Sequence, residues 1–378
     1  MDLDQIEPIK VFVVFGTRPE AIKLAPLISL FQASDRFKVK VCTTGQHREM
    51  LSSVLSLFNI KPDVELDVMT HDQSLADVLS TMIAGLDNAI NNWKPDVVVV
   101  QGDTATTLAG AMAAFYRGVK IAYVEAGLRT GKLNSPFPEE ANRKMVSCIS
   151  NWQFAPTELA KDVLLEEGYS PDDIFVVGNT SIDAIKQSSK KVSHSSFEVP
   201  KHLLFLEKIK RMILITGHRR ENLGPTMDSI FKGFKILAEE NPDIEFVYPV
   251  HLNPNVRKQV FNQLDGLKNF HLLDPQPYDS FVWLMQKSIL IITDSGGIQE
   301  EAPSLNVPVV VTRNDTERME AVHGGACILA GTDPESINIS VSRLLEDSKF
   351  YNEVAYAKNP FGDGKTSEKI LNILNDKF

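Results

Sequence analysis

A chain of 378 residues exceeds what one hydrophobic core usually organises, so two domains are expected. A hydrophobic share of 43% and a charged share of 23% are ordinary for a globular protein, and a formal net charge of −10 argues against a nucleic-acid or anionic-membrane partner. No apolar run reaches about 18 residues and the opening MDLDQIEP lacks the basic segment of a secretory signal, so a cytoplasmic protein without a membrane span is expected.

Residues 9–15 (IKVFVVF) form an almost wholly apolar run, as expected for a strand covered on both faces of a parallel sheet. Thr17-Arg18-Pro19-Glu20 has capping-box spacing with a proline near the helix start, and Leu24, Leu27, Ile28 and Phe31 follow on one helical face. The alternation repeats: strand 37–43, helix 49–58, a longer helix 75–93, strand 96–100, helix 104–115, strand 120–124 and a helix near 139–149. Between 186 and 202 the segment KQSSKKVSHSSFEVPKH loses its apolar period and reads as a linker, with a polar helix surface as the alternative. Strands are then expected at 212–216, 244–250, 270–273, 290–293 and 307–312, with helices between them and a terminal helix at 367–378. The pattern predicts an α/β protein of two doubly wound domains, 1–190 and 191–365. The terminal helix, 366–378, is free to pack back on the first domain.

Neither G-x-G-x-x-G nor G-x-x-x-x-G-K-[ST] occurs, which weakens redox and NTPase readings. Cys42, Cys148 and Cys327 are widely spaced and read as small buried residues, and the eight histidines lack H-x-x-x-H spacing, so no metal site is expected.

Five polar clusters fall at expected strand ends: 16–20, 101–104, 125–130, 216–221 and 293–301. Each has a structural alternative. Asp103 has the position of a helix N-cap, Glu125 that of a partner for Arg129, and Glu139 and Glu140 that of first-turn acids at a helix dipole. His218 reads as a turn histidine or an anion contact, and Arg18 and Lys23 as solvated charges on a helix edge. In LIITDSGGIQEE (290–301), Ser295, Gly296 and Gly297 suit either a capped tight turn or a phosphate cradle at a helix start. Gln299, Glu300 and Glu301 in the first turn complicate that reading, because at least one carboxylate there would repel a bare phosphate, but a carboxylate can accept from a sugar diol, which points toward a nucleotide or nucleotide sugar. Taken together, the clusters supply what proton transfer beside a leaving diphosphate requires.

FGTRPEAIKLAP, TGQHREML, QGDTATT, VEAGLRTG, FPEEANR, VGNTSIDA, GHRREN, YPVHLNPNVR, TDSGGIQEEAPS and NPFGDG together resemble the non-hydrolysing UDP-N-acetylglucosamine 2-epimerases. The likeness runs from about Val11 to the terminal helix. It implies two Rossmann-like doubly wound domains in a glycosyltransferase B arrangement with an interdomain active-site cleft, usually in a homodimer, and no cofactor. The implied reaction interconverts UDP-N-acetylglucosamine and UDP-N-acetylmannosamine, a precursor of cell-surface polysaccharide, through elimination and re-addition of UDP. By matched position the resemblance implies Asp103, Glu125, Glu139 and His218 as the catalytic group, with Arg18, Lys23 and His218 neutralising the diphosphate. Ser295, Gly296 and Gly297 would donate to phosphate, Glu301 would hold the ribose, Arg318 would complete the UDP site, and Gln276 and Phe281 would border uracil. Gln46, Gln73, Arg219 and His251 match a second, activating UDP-N-acetylglucosamine site, although Asp72 stands where other members place an arginine. A glycosyltransferase, a hydrolysing epimerase and a nucleotide-sugar sensor are the alternatives on the same architecture.

Overall fold

The computed structural model describes residues 7–45, 48–69, 73–217 and 222–378, with backbone alone at 48–50. It divides into two compact units: Met1–Ala184 with Phe361–Phe378, and Ile185–Pro360.

The first unit is built on a seven-stranded, wholly parallel sheet. Its strands are β1 (Ile9–Phe15), β2 (Phe37–Thr43), β3 (Val64–Glu65), β4 (Val97–Gln101), β5 (Lys120–Val124), β6 (Trp152–Ala155) and β7 (Ile174–Val176), in the spatial order β3-β2-β1-β4-β5-β6-β7. Successive strand side chains point to opposite faces. Phe12, Val14, Val98, Val100, Ile121 and Tyr123 therefore share one core with α3 (Leu75–Trp93), α4 (Ala105–Tyr116), α5 (Glu139–Ile149) and α6 (Glu158–Glu166). The alternate residues Val11, Val13 and Phe15 are equally buried, and α1 (Arg18–Gln32) packs with α2 (Arg48–Leu57) and the terminal helix α15 (Thr366–Lys377). Burial on both faces explains why these strands read as continuous apolar runs.

The second unit repeats the plan with six parallel strands. These are β8 (Met212–Thr216), β9 (Glu245–Pro249), β10 (Phe270–Leu273), β11 (Leu290–Thr293), β12 (Val309–Val311) and β13 (Cys327–Leu329), in the order β10-β9-β8-β11-β12-β13. One core joins Ile213, Phe246, Tyr248 and Ile292 to α8 (Pro225–Glu240), α9 (Pro254–Leu264) and α13 (Pro334–Glu346). In both units the strand order reverses beside the first strand, between β1 and β4 and between β8 and β11. In open α/β sheets, ligands bind outside the carboxyl ends of the strands at such a point.

The segment expected to be a linker is helical in its first part. α7 (Thr180–Val192) carries the chain through it, because Ile182, Ala184, Ile185 and Val192 keep an apolar stripe and Ser188 is buried with them. The unit division falls inside this helix. The reading also missed β3, β6, β7 and β13, whose two to four residues are too few to show a period. Cys42 and Cys327 are buried, and burial pushes both thiols up to about 12, but Cys148 is exposed on α5, against expectation. Among the described residues no helix is long and apolar enough to cross a membrane.

Gly127 follows β5 with φ +90°, and a Cβ there would stand 2.2 Å from the carbonyl oxygen of Ala160. Gly168 has a similar φ of +88° but open space around it. Gly127→Ala should therefore lower stability by about 1–3 kcal/mol beyond the left-handed backbone cost that Gly168→Ala also carries, read from urea midpoints at unchanged slope.

Candidate active site

In the first unit the ends of β1, β4 and β5 are tied together by buried carboxylates. Thr17 caps α1, and Glu20 completes the capping box by accepting from the backbone N–H of Gly16 (3.1 Å) and Thr17 (2.7 Å). The other oxygen of Glu20 accepts from the hydroxyls of Thr104 (2.7 Å) and Thr107 (3.3 Å), so the same carboxylate clamps the turn after β4. Gly16 sits where a Cβ would collide with the hydroxyls of Thr44 and Thr106, which hydrogen-bond to each other at 2.8 Å.

Glu125, the residue after β5, lies in the left-handed region, with φ +68°. A non-glycine residue pays about 1–2 kcal/mol for this backbone, and such strain persists where the surroundings over-determine it. Here the surroundings are three donors. Lys23 Nζ lies 2.5 Å from Oε1, Asn179 Nδ2 donates to Oε1 at 2.9 Å, and Gln101 Nε2 donates to Oε2. The expected partner, Arg129, is occupied elsewhere. It forks onto Glu167, with Nη2 2.8 Å from Oε2, and donates to Ser147. Lys23 is accordingly not a solvated edge charge, since only 14% of its side chain is exposed.

Asp103 is not the N-cap of α4. Thr104 is, accepting from Thr107 N at 3.2 Å. The Asp103 carboxylate instead receives Arg143 Nη2 (2.6 Å) and Nε (2.9 Å), and Asn142 donates to its backbone carbonyl at 2.8 Å. Burial works against the charge on Arg143, but Asp103, then Tyr123 and Glu140, outweigh it, so its pKa is raised. Glu140 is fully buried and accepts from Arg143 and from the backbone N–H of Thr130 and Gly131. Its neighbour Glu139, the first residue of α5, differs: Oε2 is buried and has no hydrogen-bond partner among the described residues. Through Asn142 and Arg143 the first turns of α5 are fixed to Asp103, so Asp103, Glu125, Glu139 and Lys23 belong to one connected region. Arg18, at the start of α1, is partly exposed.

In the second unit the turn after β11 is braced by Thr216 at the end of β8, by Asn222 and by its own Thr293. Thr216 and Thr293 hydroxyls meet at 2.5 Å, Ser295 N donates to Thr293 Oγ1 at 2.9 Å, and Asn222 donates to the buried Asp294 at 3.2 Å. Ser295 precedes α11 (Gly296–Glu301), yet its side chain makes no capping hydrogen bond, which sets aside the simple N-cap reading. A Cβ at Gly296 would press on the Arg318 guanidinium, 3.2 Å from Cζ, so glycine makes room for this arginine. Arg318 donates to the buried Glu300 through Nη2 (2.7 Å) and Nε (2.9 Å). Glu301 accepts from the Tyr278 hydroxyl at 3.4 Å, which links it to the start of α10 (Tyr278–Lys287), the helix that bears Phe281. Gln276, just before that helix, is held by His202 (2.8 Å) and by donation to the Asp274 carbonyl (2.6 Å).

His218, Gln46 and Arg219 lie outside the described residues. Gln73 donates to the Val68 carbonyl at 3.0 Å, and exposed His251 accepts from Asn253 N at 3.1 Å. Sequence reasoning missed Asn179, Arg143, Gln101 and Glu300 as site partners. All four lie inside the motifs that carry the resemblance, but no local rule assigns any of them a distant partner.

Glu20 supplies a pH prediction. Burial raises its pKa above 4.5, against hydrogen bonds from Thr104, Thr17 and Gly16. The folded state thus holds this proton more tightly than the unfolded chain, so the contribution is fully present below the unfolded value and is lost as pH rises through the folded one. Lowering the pH from about 7 to about 5 should improve the stability of the native protein relative to Glu20→Gln, measured by paired thermal unfolding. A pH-independent difference would refute this account.

A family model described as UDP-N-acetylglucosamine 2-epimerase matches residues 30–375. The UDP-N-acetylglucosamine 2-epimerase of Escherichia coli K12 is 48% identical over 370 residues, 97% of this chain and 98% of that one. The Campylobacter jejuni enzyme of the same name is 46% identical over 371 residues, 97% of each chain. Among solved structures, UDP-GlcNAc 2-epimerase from Neisseria meningitidis bound to UDP-GlcNAc superposes with a TM-score of 0.92 at 46% identity, covering 97% of this chain and all (100%) of that one. The Methanocaldococcus jannaschii enzyme in complex with UDP-GlcNAc and UDP gives 0.81 at 35% identity, with 97% and 100% covered. With matches of this extent on two parallel Rossmann-like sheets, the chain belongs to the UDP-N-acetylglucosamine 2-epimerase family.

Proposed function

We propose that this protein interconverts UDP-N-acetylglucosamine and UDP-N-acetylmannosamine by the non-hydrolysing route. Family membership over residues 30–375 is the observation that carries this reading. The C2 proton of the substrate has no adjacent carbonyl, so its removal alone would leave an unstabilised carbanion. Anti elimination avoids this: a base takes the C2 proton, the C2–H electrons form the C1–C2 double bond, and the C1–O bond breaks toward UDP. The resulting 2-acetamidoglucal accepts UDP again at C1 while C2 is protonated on its other face.

Asp103, Glu125, Glu139 and His218 are the proposed acid–base group. The unpartnered, buried oxygen of Glu139 supports this reading, because a carboxylate oxygen free of protein donors is available to a proton in transfer. Arg18, Lys23 and His218 are the proposed neutralising charges for the diphosphate; the Lys23 ammonium has three N–H donors, one of which serves Glu125. In the second unit, Ser295, Gly296, Gly297 and Arg318 are the proposed phosphate contacts, Glu301 the ribose contact, and Gln276 and Phe281 the border of the base. A cytoplasmic homodimer, supply of a precursor for cell-surface polysaccharide, and activation by UDP-N-acetylglucosamine through Gln46, Gln73, Arg219 and His251 belong to the same proposal.

Incubation with UDP-N-acetylglucosamine in D2O should yield the manno epimer carrying deuterium at C2, followed by NMR; epimer formed without solvent exchange would sink the elimination route. Asp103→Asn and Glu125→Gln should each reduce kcat by about 100-fold or more with the fold retained. Net accumulation of UDP and free N-acetylmannosamine would instead identify a hydrolysing enzyme.

A further inference from the structure

Asn179 precedes α7 and is 2% exposed. Its Nδ2 donates to Glu125 Oε1, and its Oδ1 accepts from Ser181 N at 3.0 Å, forming a turn that fixes the carboxamide's orientation. The backbone of this turn is held by the far end of the chain. Asn179 N donates to the Phe361 carbonyl at 2.7 Å, and the Thr366 hydroxyl approaches the Asn179 carbonyl at 3.4 Å. Gly178, with φ +99°, packs so closely that a Cβ would stand 2.6 Å from Thr366 Oγ1 and 3.1 Å from the Phe361 carbonyl oxygen. One turn into α7, Asp183 accepts from the backbone N–H groups of Ser367 (2.8 Å) and Thr366 (3.2 Å), anchoring the start of α15. Asn179, Asp183, Thr366 and Ser367 are all buried, and all lie in the first unit.

We infer that Asn179 is a positioning residue for Glu125, and that the returning segment 361–367 sets its place. Glu125 occupies a left-handed backbone conformation, so its carboxylate is aimed by its donors. Gln101 takes one oxygen, while Lys23 and Asn179 converge on the other. Lysine brings charge on a flexible stem, whereas the carboxamide is fixed by its own turn and therefore defines direction. The inference rests on the proposed catalytic part of Glu125 and extends it to residues at the opposite end of the chain.

Asn179→Asp tests this, because the aspartate keeps the acceptor for Ser181 N and replaces only the donor. Among the described residues, the charged and titratable groups in the region are Lys23 from α1, Tyr123 on β5, Asp183 on α7, and Asp103, Arg129 and Arg143, which act on the Tyr123 phenol together with Glu125. A second carboxylate against Oε1 disfavours ionisation of Glu125, so whichever limb of the pH–kcat profile Glu125 governs should move to higher pH by about one unit or more. At neutral pH kcat should fall by about 100-fold, with KM within about threefold and UDP affinity by calorimetry unchanged. A profile that stays in place with kcat within about twofold overturns the inference.

The remote part is tested by a double-mutant cycle. Asp183→Asn should lower kcat about fivefold in the native background and less than about twofold in Asn179→Asp; additive losses would show that the segment does not act through Asn179. Glu125→Gln separates the two levels: near-normal turnover there defeats the catalytic reading of Glu125, while an inactive Glu125→Gln beside a normal Asn179→Asp defeats this inference alone.

Discussion

A carboxylate at the carboxyl edge of a buried parallel sheet has to be surrounded by donors, and Glu125 imposes that requirement on much of the first unit. Its donors come from α1, from the end of β4 and from the turn before α7, three stretches that local structure would not bring together. Removing one partner of a buried ion pair typically costs about 3–5 kcal/mol, because the remaining charge stays desolvated. The pair with Lys23 therefore constrains the site's shape more than it contributes net stability. Glu20 does the same nearby, joining the turns after β1 and β4 through two backbone and two hydroxyl donors.

The two units share a topology and solve the problem of polar turns differently. In the first, carboxyl groups held by lysine, arginine, amide and hydroxyl donors do the bracing. In the second, paired threonine hydroxyls and the Asn222–Asp294 bond support the turn after β11, and a glycine leaves room for an arginine. One theme recurs. Of the adjacent pairs Glu139–Glu140 and Glu300–Glu301, one member is taken by an arginine: Glu140 by Arg143 and Glu300 by Arg318. The neighbour in each pair is the residue assigned to chemistry or ligand, Glu139 and Glu301. In each doublet the arginine-bound carboxylate stands beside the one proposed above for chemistry or ligand contact.

Both sheets and most helices were legible in the sequence, because a strand period of two and a helical period of 3.6 are local properties of a few consecutive residues. The capping box at Thr17–Glu20 was legible for the same reason, and the family motifs named the polar clusters at the strand ends. The short strands β3, β6, β7 and β13 escaped because they have too few residues to show a period, and the later part of α7 reads as a linker because exposed Lys186, Lys190 and Lys191, with buried Ser188 interrupting the apolar stripe, mask its helical period.

Tertiary structure alone decided the partners. Glu125 was weighed against Arg129, four positions away, but its cation is Lys23, 102 positions earlier. Asp103 had the spacing of a cap and became the partner of Arg143, and Ser295 had the position of a cap without making the bond. Nothing near Asn179 indicates that Phe361 and Thr366 will hold it. The physical reason is common to these cases: a side chain's local pattern determines which element it joins and which way it faces, whereas a buried charge is paired with whatever donor the packed layers bring within about 3 Å, irrespective of separation along the chain.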